Sequence, residues 1–220
     1  MNESRAREEI CRIGKSLFDR GYVHATAGNI SVRLDDGFLI TPTDACLGFL
    51  DPAELARVDA HGHAVGGARP SKTLPLHRGI YGAATRFDPE TRCIIHTHSA
   101  HAVALSLHAT GPELLAPITP YFVMKVGHVP LIAYTRPGAA EAVAEVVRQI
   151  ESWGTRGAPI RAVMLRRLGP NVWHDSPAAA MAVLEELEET ARLVLLSREP
   201  ATPLDEPQID ALRQAFGARW

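Results

Sequence analysis

The sequence predicts an α/β layer fold, and two observations carry that expectation. Short apolar, strand-like runs alternate along the chain with longer segments whose apolar residues recur at helical spacing. No repeat, low-complexity tract or linker interrupts that alternation. With 220 residues, 46% of them apolar and 22% charged, the chain is long enough for one substantial core and short for two, so residues 1–220 read as one domain.

Residues 4–20 read as an amphipathic helix, with Ile10, Ile13, Leu17 and Phe18 on one stripe and Gly21 ending it. Ile30 and Val32 alternate with polar residues, Asp35-Asp-Gly37 signals a turn, and residues 38–40 form the returning strand of a hairpin. A loop follows over 41–46, then a helix start at Asp51-Pro52, then a short strand pair holding Val58 and Val65 about Gly62. Ser71 caps a second helix running to about residue 84, with Leu74, His77, Ile80 and Tyr81 repeating and Pro75 confined to its first turn. Cys93 to His98 is a compact apolar strand, placed centrally. A helix over 100–107, a strand over 129–133, a helix over 138–152 and a strand over 162–165 follow. The clearest helix covers 177–197, with Met181, Leu184, Leu187, Ala191, Val194 and Leu195 on its apolar side, and a short amphipathic helix over 209–216 ends the chain.

A formal charge of −2 gives no reason to expect nucleic acid or an anionic membrane as partner. No run approaches the roughly eighteen apolar residues of a membrane span, and the charged N-terminus does not resemble a secretion signal. Cys11, Cys46 and Cys93 are odd in number and widely spaced, which argues against a disulfide framework and for a reducing cytoplasm.

The chemistry-bearing residues cluster in four places. His96 and His98 lie two apart on a strand, so both imidazoles project from one face. They are either two nitrogen ligands of a divalent metal or a buried, hydrogen-bonded pair; His101 follows closely as a further candidate. Gly28-Asn29, Thr41 to Thr43 and Ser71-Lys72 are polar segments at element ends. They are either ordinary turns and caps or parts of an anion site, and Lys72 at a helix N-terminus is unfavourable unless an anion lies there. Tyr121 and Lys125 either face substrate or belong to a packed loop. Serine-elbow, phosphate-loop and dinucleotide glycine patterns are absent.

Five motifs in order carry a family resemblance: His24-Ala-Thr-Ala-Gly-Asn-Ile-Ser-Val-Arg33, Thr41-Pro-Thr-Asp-Ala-Cys-Leu-Gly48, Pro70-Ser-Lys-Thr73, Ile94-Ile-His-Thr-His-Ser99 and Glu186-Leu-Glu-Glu-Thr-Ala-Arg192. Together they resemble the class II aldolase/adducin family across about residues 5 to 198. Ala45-Cys-Leu-Gly48, Ile118-Thr-Pro-Tyr-Phe-Val-Met-Lys-Val-Gly127 and Glu185-Glu-Leu-Glu-Glu-Thr190 are most like its 3-oxo-tetronate 4-phosphate decarboxylase branch.

The resemblance implies three layers, with a central mixed, mainly antiparallel sheet flanked by helices. It implies a homo-oligomer, usually a four-fold tetramer with sites between subunits, and a divalent metal, commonly zinc, on His96 and His98. It also implies phosphate contacts near Asn29, Thr43, Ser71 and Lys72, and a decarboxylase or aldolase acting on a phosphorylated sugar acid or related carbonyl compound, the metal polarising the carbonyl. The chain departs from the family pattern at Thr73, where an acidic residue is expected, at Leu168, where a third metal histidine is expected, and at Asp44, where a small residue is usual. These departures leave two readings: an enzyme with a re-supplied ligand and base drawn from His77, His101, His174 or a neighbouring subunit's side chain, or an adducin-like member that binds without catalysis. Thr73, His77 and Tyr121 are the catalytic candidates; Thr73 and His77, four apart, share a helix face.

Overall fold

In the computed structural model, which describes residues 2–220, the central element is an eight-stranded sheet. The strands are β1 (Asn29–Leu34), β2 (Gly37–Ile40), β3 (Ala56–Asp59), β4 (Ala64–Gly66), β5 (Cys93–His96), β6 (Leu131–Ile132), β7 (Ala162–Leu165) and β8 (Gly169–His174). Their order is β4-β3-β2-β1-β5-β8-β7-β6, and every pairing is antiparallel except β6 with β7. The expected mixed, mainly antiparallel sheet is therefore present.

Helices cover both faces. On one lie α1 (Glu3–Asp19), α3 (Ala100–His108) and α5 (Pro177–Leu196); on the other lie α2 (Leu74–Ala84) and α4 (Ala140–Thr155). The strand period of two sorts side chains between them. Ile30 and Val32 of β1, Cys93 and Ile95 of β5 and Val172 of β8 join Ile10, Ile13, Leu17, Leu184 and Leu187 in one core. Ile94, Trp173 and Val163 join Ile80, Tyr81, Val146 and Ile150 in the other. A last helix, α6 (Glu206–Phe216), is held by a capping box in which Asp205 and Gln208 exchange hydrogen bonds. No helix among the described residues is long and apolar enough to cross a membrane.

Several sequence expectations shift. The second helix starts at Leu74, so its N-cap is Thr73 and Ser71 lies outside it; Ser71 Oγ instead accepts from the Thr73 N–H at 3.3 Å. The central strand ends at His96, leaving His98 just beyond. The 129–133 segment pairs only at Leu131–Ile132, and residues 122–126, expected as loop, form a single π turn. The strand β8 has no counterpart in the sequence reading. Both its faces are covered, so it lacks alternation, and Gly169-Pro170-Asn171 denies it the continuous apolar run by which β5 and β7 are read. On α5, Leu195 is 44% exposed and the buried stripe runs through Ala180, Val183, Leu184, Leu187 and Ala191.

Candidate active site

The sheet centre delivers the two histidines. In β5, Asn29↔His96↔Asn171 form one cross-strand row with β1 and β8. The backbone beyond His96 stays extended enough for His98 to rejoin the same side, and the two ring centroids lie 5.0 Å apart. Two glycines brace this exit. A Cβ on Gly28 (φ +86°) would lie 2.9 Å from the His96 carbonyl oxygen, and one on Gly169 (φ +149°) would lie 1.9 Å from that of Thr97. Only glycine tolerates both the backbone angle and the approach.

His96 Nδ1 donates to the Pro170 carbonyl at 2.9 Å, which leaves its Nε2 lone pair free. Burial, with His98 adding repulsion, pushes its pKa down to about 4, and burial also lowers that of His98. Both rings are therefore neutral at pH 7, the state in which imidazole nitrogen serves as a ligand.

Both line a pocket of about 340 Å³ over the α2/α4 face of the sheet. One wall is built from Gly28, Asn29, Thr43, Ser71, Lys72 and Thr73, which brings together all four expected substrate contacts and one catalytic candidate. The main-chain N–H groups of Thr43 and Ser71 are consumed in fixing these loops, donating to Arg69 and Thr41 at 3.0 and 3.1 Å. What these residues offer a ligand is their hydroxyls. Lys72 and Asp44, each unexpected by itself, stand 3.2 Å apart as an exposed ion pair. The other wall carries Thr135, Arg136, Leu165, Arg166 and Leu168, and neither arginine had been singled out from the sequence. Loop arginines leave no pattern to read; the fold places both in the pocket lining, Arg166 partly buried and Arg136 exposed.

Three expected participants lie elsewhere. His77 is fully buried under the pocket, between Asn29 Oδ1 at 2.6 Å and Ser31 Oγ at 2.7 Å, with the Tyr81 hydroxyl 2.9 Å from Ser31 Oγ. Burial, reinforced by His96, pushes its pKa down to about 3, so it is neutral. Its Nε2–H donates to Asn29, and its Nδ1 accepts from Ser31. This chain fixes the Asn29 amide with its oxygen toward His77 and its nitrogen toward the pocket that Asn29 lines. His101 is turned toward α5, where Glu188 takes its Nδ1 at 2.8 Å. Tyr121 is 59% exposed and is not part of the pocket wall.

The donor set does not complete a metal centre. Among the described residues, no three His, Cys, Asp or Glu side chains gather around one point, so His101 as third ligand is corrected: its helix packs on the opposite face of the sheet. Leu168 fills pocket wall without a donor atom, and the Thr73 hydroxyl is 2.9 Å from that of Ser71. A catalytic zinc ordinarily takes three protein ligands, and this chain presents two.

Residues 8–195 match the class II aldolase and adducin N-terminal domain. The chain belongs to that family. Among its class II aldolase relatives, the 3-oxo-tetronate 4-phosphate decarboxylase of Cupriavidus necator is 51% identical over 99% of both chains. The L-fuculose phosphate aldolase of Methanocaldococcus jannaschii is 31% identical over 87% of this chain and 96% of its own. The crystal structure of YgbL from Escherichia coli superposes with a TM-score of 0.84 at 38% identity, covering 96% of this chain and 99% of that one.

Proposed function

We propose that the chain is a lyase acting on a phosphorylated sugar acid, and specifically a decarboxylase of a four-carbon 3-oxo acid 4-phosphate. The observation that carries this reading is the pocket itself: a hydroxyl- and lysine-bearing wall suited to phosphate, two neutral imidazoles at its floor, and no carboxylate at position 73. Full-length similarity to a relative named for that activity supports it.

Position 73 favours decarboxylation over aldol cleavage. Aldol cleavage begins when a base removes a hydroxyl proton, and a threonine hydroxyl is no such base at neutral pH. A 3-oxo acid needs no proton removed. When its C1–C2 bond breaks, carbon dioxide leaves and the electron pair passes into a C2–C3 enolate, which then takes up one proton at C2 from water. What the site must do is hold the phosphate and stabilise negative charge growing on the C3 oxygen. Ser71, Thr43 and Lys72 serve the first task. The oriented Asn29 amide and the Lys72 charge serve the second. Thr73 contributes a hydrogen bond rather than proton transfer.

Because the donor set is incomplete, no step here runs through a metal. A divalent ion, zinc in the first instance, would be held by His96 and His98 alone in this chain, hence weakly. Residues 1–220 act as a single unit in this reading, in the cytoplasm, and as a homo-oligomer, a tetramer by family resemblance. Tyr121 would enter the reaction only across a contact between copies. Leu168 and Thr73 together favour a second reading, binding without turnover. The test is to incubate purified protein with the 3-oxo acid phosphate and follow carbon dioxide release above the spontaneous rate. No acceleration, with and without added zinc or manganese, would sink the catalytic reading and leave the binding one.

A further inference from the structure

The pocket is bipolar, and we propose that Arg166 and Arg136 form a carboxylate subsite that selects acids over neutral sugar phosphates. This rests on the phosphorylated-ligand reading above and assigns the other end of the ligand.

Sheet order sets the arrangement. His96 stands on β5; the Asn29 wall is one strand away on β1, continued by the Thr43 and Ser71 loops past β2. In the other direction, Arg166 directly follows β7, two strands from β5, and Arg136 follows β6, three strands away. At ~4.8 Å per strand, those origins lie roughly 10 and 14 Å from β5; both side chains line the pocket that the histidines line, Arg166 partly buried and Arg136 exposed. The pocket floor thus has an imidazole pair between two differently built ends.

Neither arginine has another evident task. Among the described residues, neither takes part in an ion pair within 4.0 Å, although fifteen pairs of Lys or Arg with a carboxylate are formed elsewhere. Arg166 Nε is buried without a hydrogen-bond partner, an unmade bond that a bound anion would satisfy. The pocket's one carboxylate, Asp44, is at the Lys72 end, so nothing in the wall neutralises the arginine end. A planar guanidinium suits a planar carboxylate, whereas the hydroxyl-rich lysine end suits tetrahedral phosphate. The C1 carboxylate, C3 carbonyl and C4 phosphate of a 3-oxo-tetronate 4-phosphate follow the same order along the ligand.

A cation held on a departing carboxylate stabilises the substrate more than the transition state, in which that charge has left. The arginines are therefore specificity residues, whose loss raises KM and leaves kcat unchanged or higher.

The experiment is calorimetry on the full chain and on Arg166→Met, Arg136→Met and Arg166→Lys, with two probes. One is 4-phosphoerythronate, a stable four-carbon acid phosphate; the other is glycerol 3-phosphate, which lacks the carboxylate. The parent should bind the acid about tenfold or more tightly than the alcohol, as expected for a charge-assisted contact. Each Met variant should lose most of that preference and keep its glycerol 3-phosphate affinity, and Arg166→Lys should recover part of it. Equal binding of the two probes by the parent, or variants that weaken both probes alike, would overturn the subsite. Failure of the parent to bind either probe would overturn the phosphorylated-ligand reading as well.

Discussion

His77 should make the protein acid-sensitive by an amount that can be worked from its surroundings. It is fully buried, uncharged, and enclosed by Asn29, Ser31 and Tyr81, with His96 the titratable neighbour that adds repulsion. Its pKa is about 3 in the folded chain against 6.5 for a free imidazole. Between those values the unfolded chain binds more protons than the folded one, so stability rises with pH and is lost as pH falls below 6.5. At ~1.4 kcal/mol per pH unit, His77 alone removes about 2 kcal/mol by pH 5 and about 3 kcal/mol by pH 4. The informative variant is His77→Gln, whose amide can still donate toward Asn29 and accept from Ser31 but cannot take up a proton. Urea unfolding of parent and variant at pH 7 and pH 5, at one protein concentration, reads the difference. His96, His98 and His174 are common to both chains and cancel to first order. The variant should lose about 2 kcal/mol less than the parent over that interval. Equal losses would refute the argument that this imidazole is held neutral by burial.

Three further outcomes follow from the geometry. Leu168→His should raise zinc content after dialysis at least severalfold over the parent, and His96→Ala added to it should abolish the gain; unchanged content would mean that residue 168 does not face the pair. Gly169→Ala should destabilise the fold by about 3 kcal/mol or more, read as a lowered urea midpoint, because its Cβ would meet the Thr97 carbonyl in a backbone region alanine avoids. A stable monomer in light scattering at micromolar concentration would remove the oligomer from the proposed function.

How much was legible depends on whether a residue acts through local pattern or through distant neighbours. Helix α1 and the β1–β2 hairpin are local, written in the spacing of Ile10, Ile13 and Leu17 and in Asp35-Asp-Gly37, and the structure reproduces them within a residue or so. The pairing of His96 with His98 was legible for the same reason. Strand β8 was not: β5 and β7, likewise buried on both faces, show as continuous apolar runs, whereas Gly169, Pro170 and Asn171 break that run in β8. The roles of His77 and His101 were read from spacing alone, and that logic failed where long-range partners decided. Asn29 and Ser31, more than forty positions before His77 in sequence, hold one ring, and Glu188 turns the other. Arg136 and Arg166 became visible only when β6 and β7 were seen beside the histidine strand.

The row Asn29↔His96↔Asn171 also bears on when the site can exist during folding. Its three members come from widely separated stretches of chain, so the floor cannot assemble from any contiguous fragment. The meander from β1 to β4 can close on local contacts early, but β5 must then insert against β1 and await β8, whose chain follows more than seventy residues later. Loop-closure entropy opposes both steps, and folding should be correspondingly slow. Until β8 arrives, β5 is an unpaired apolar edge, which is the point at which a nascent or truncated chain is exposed to aggregation.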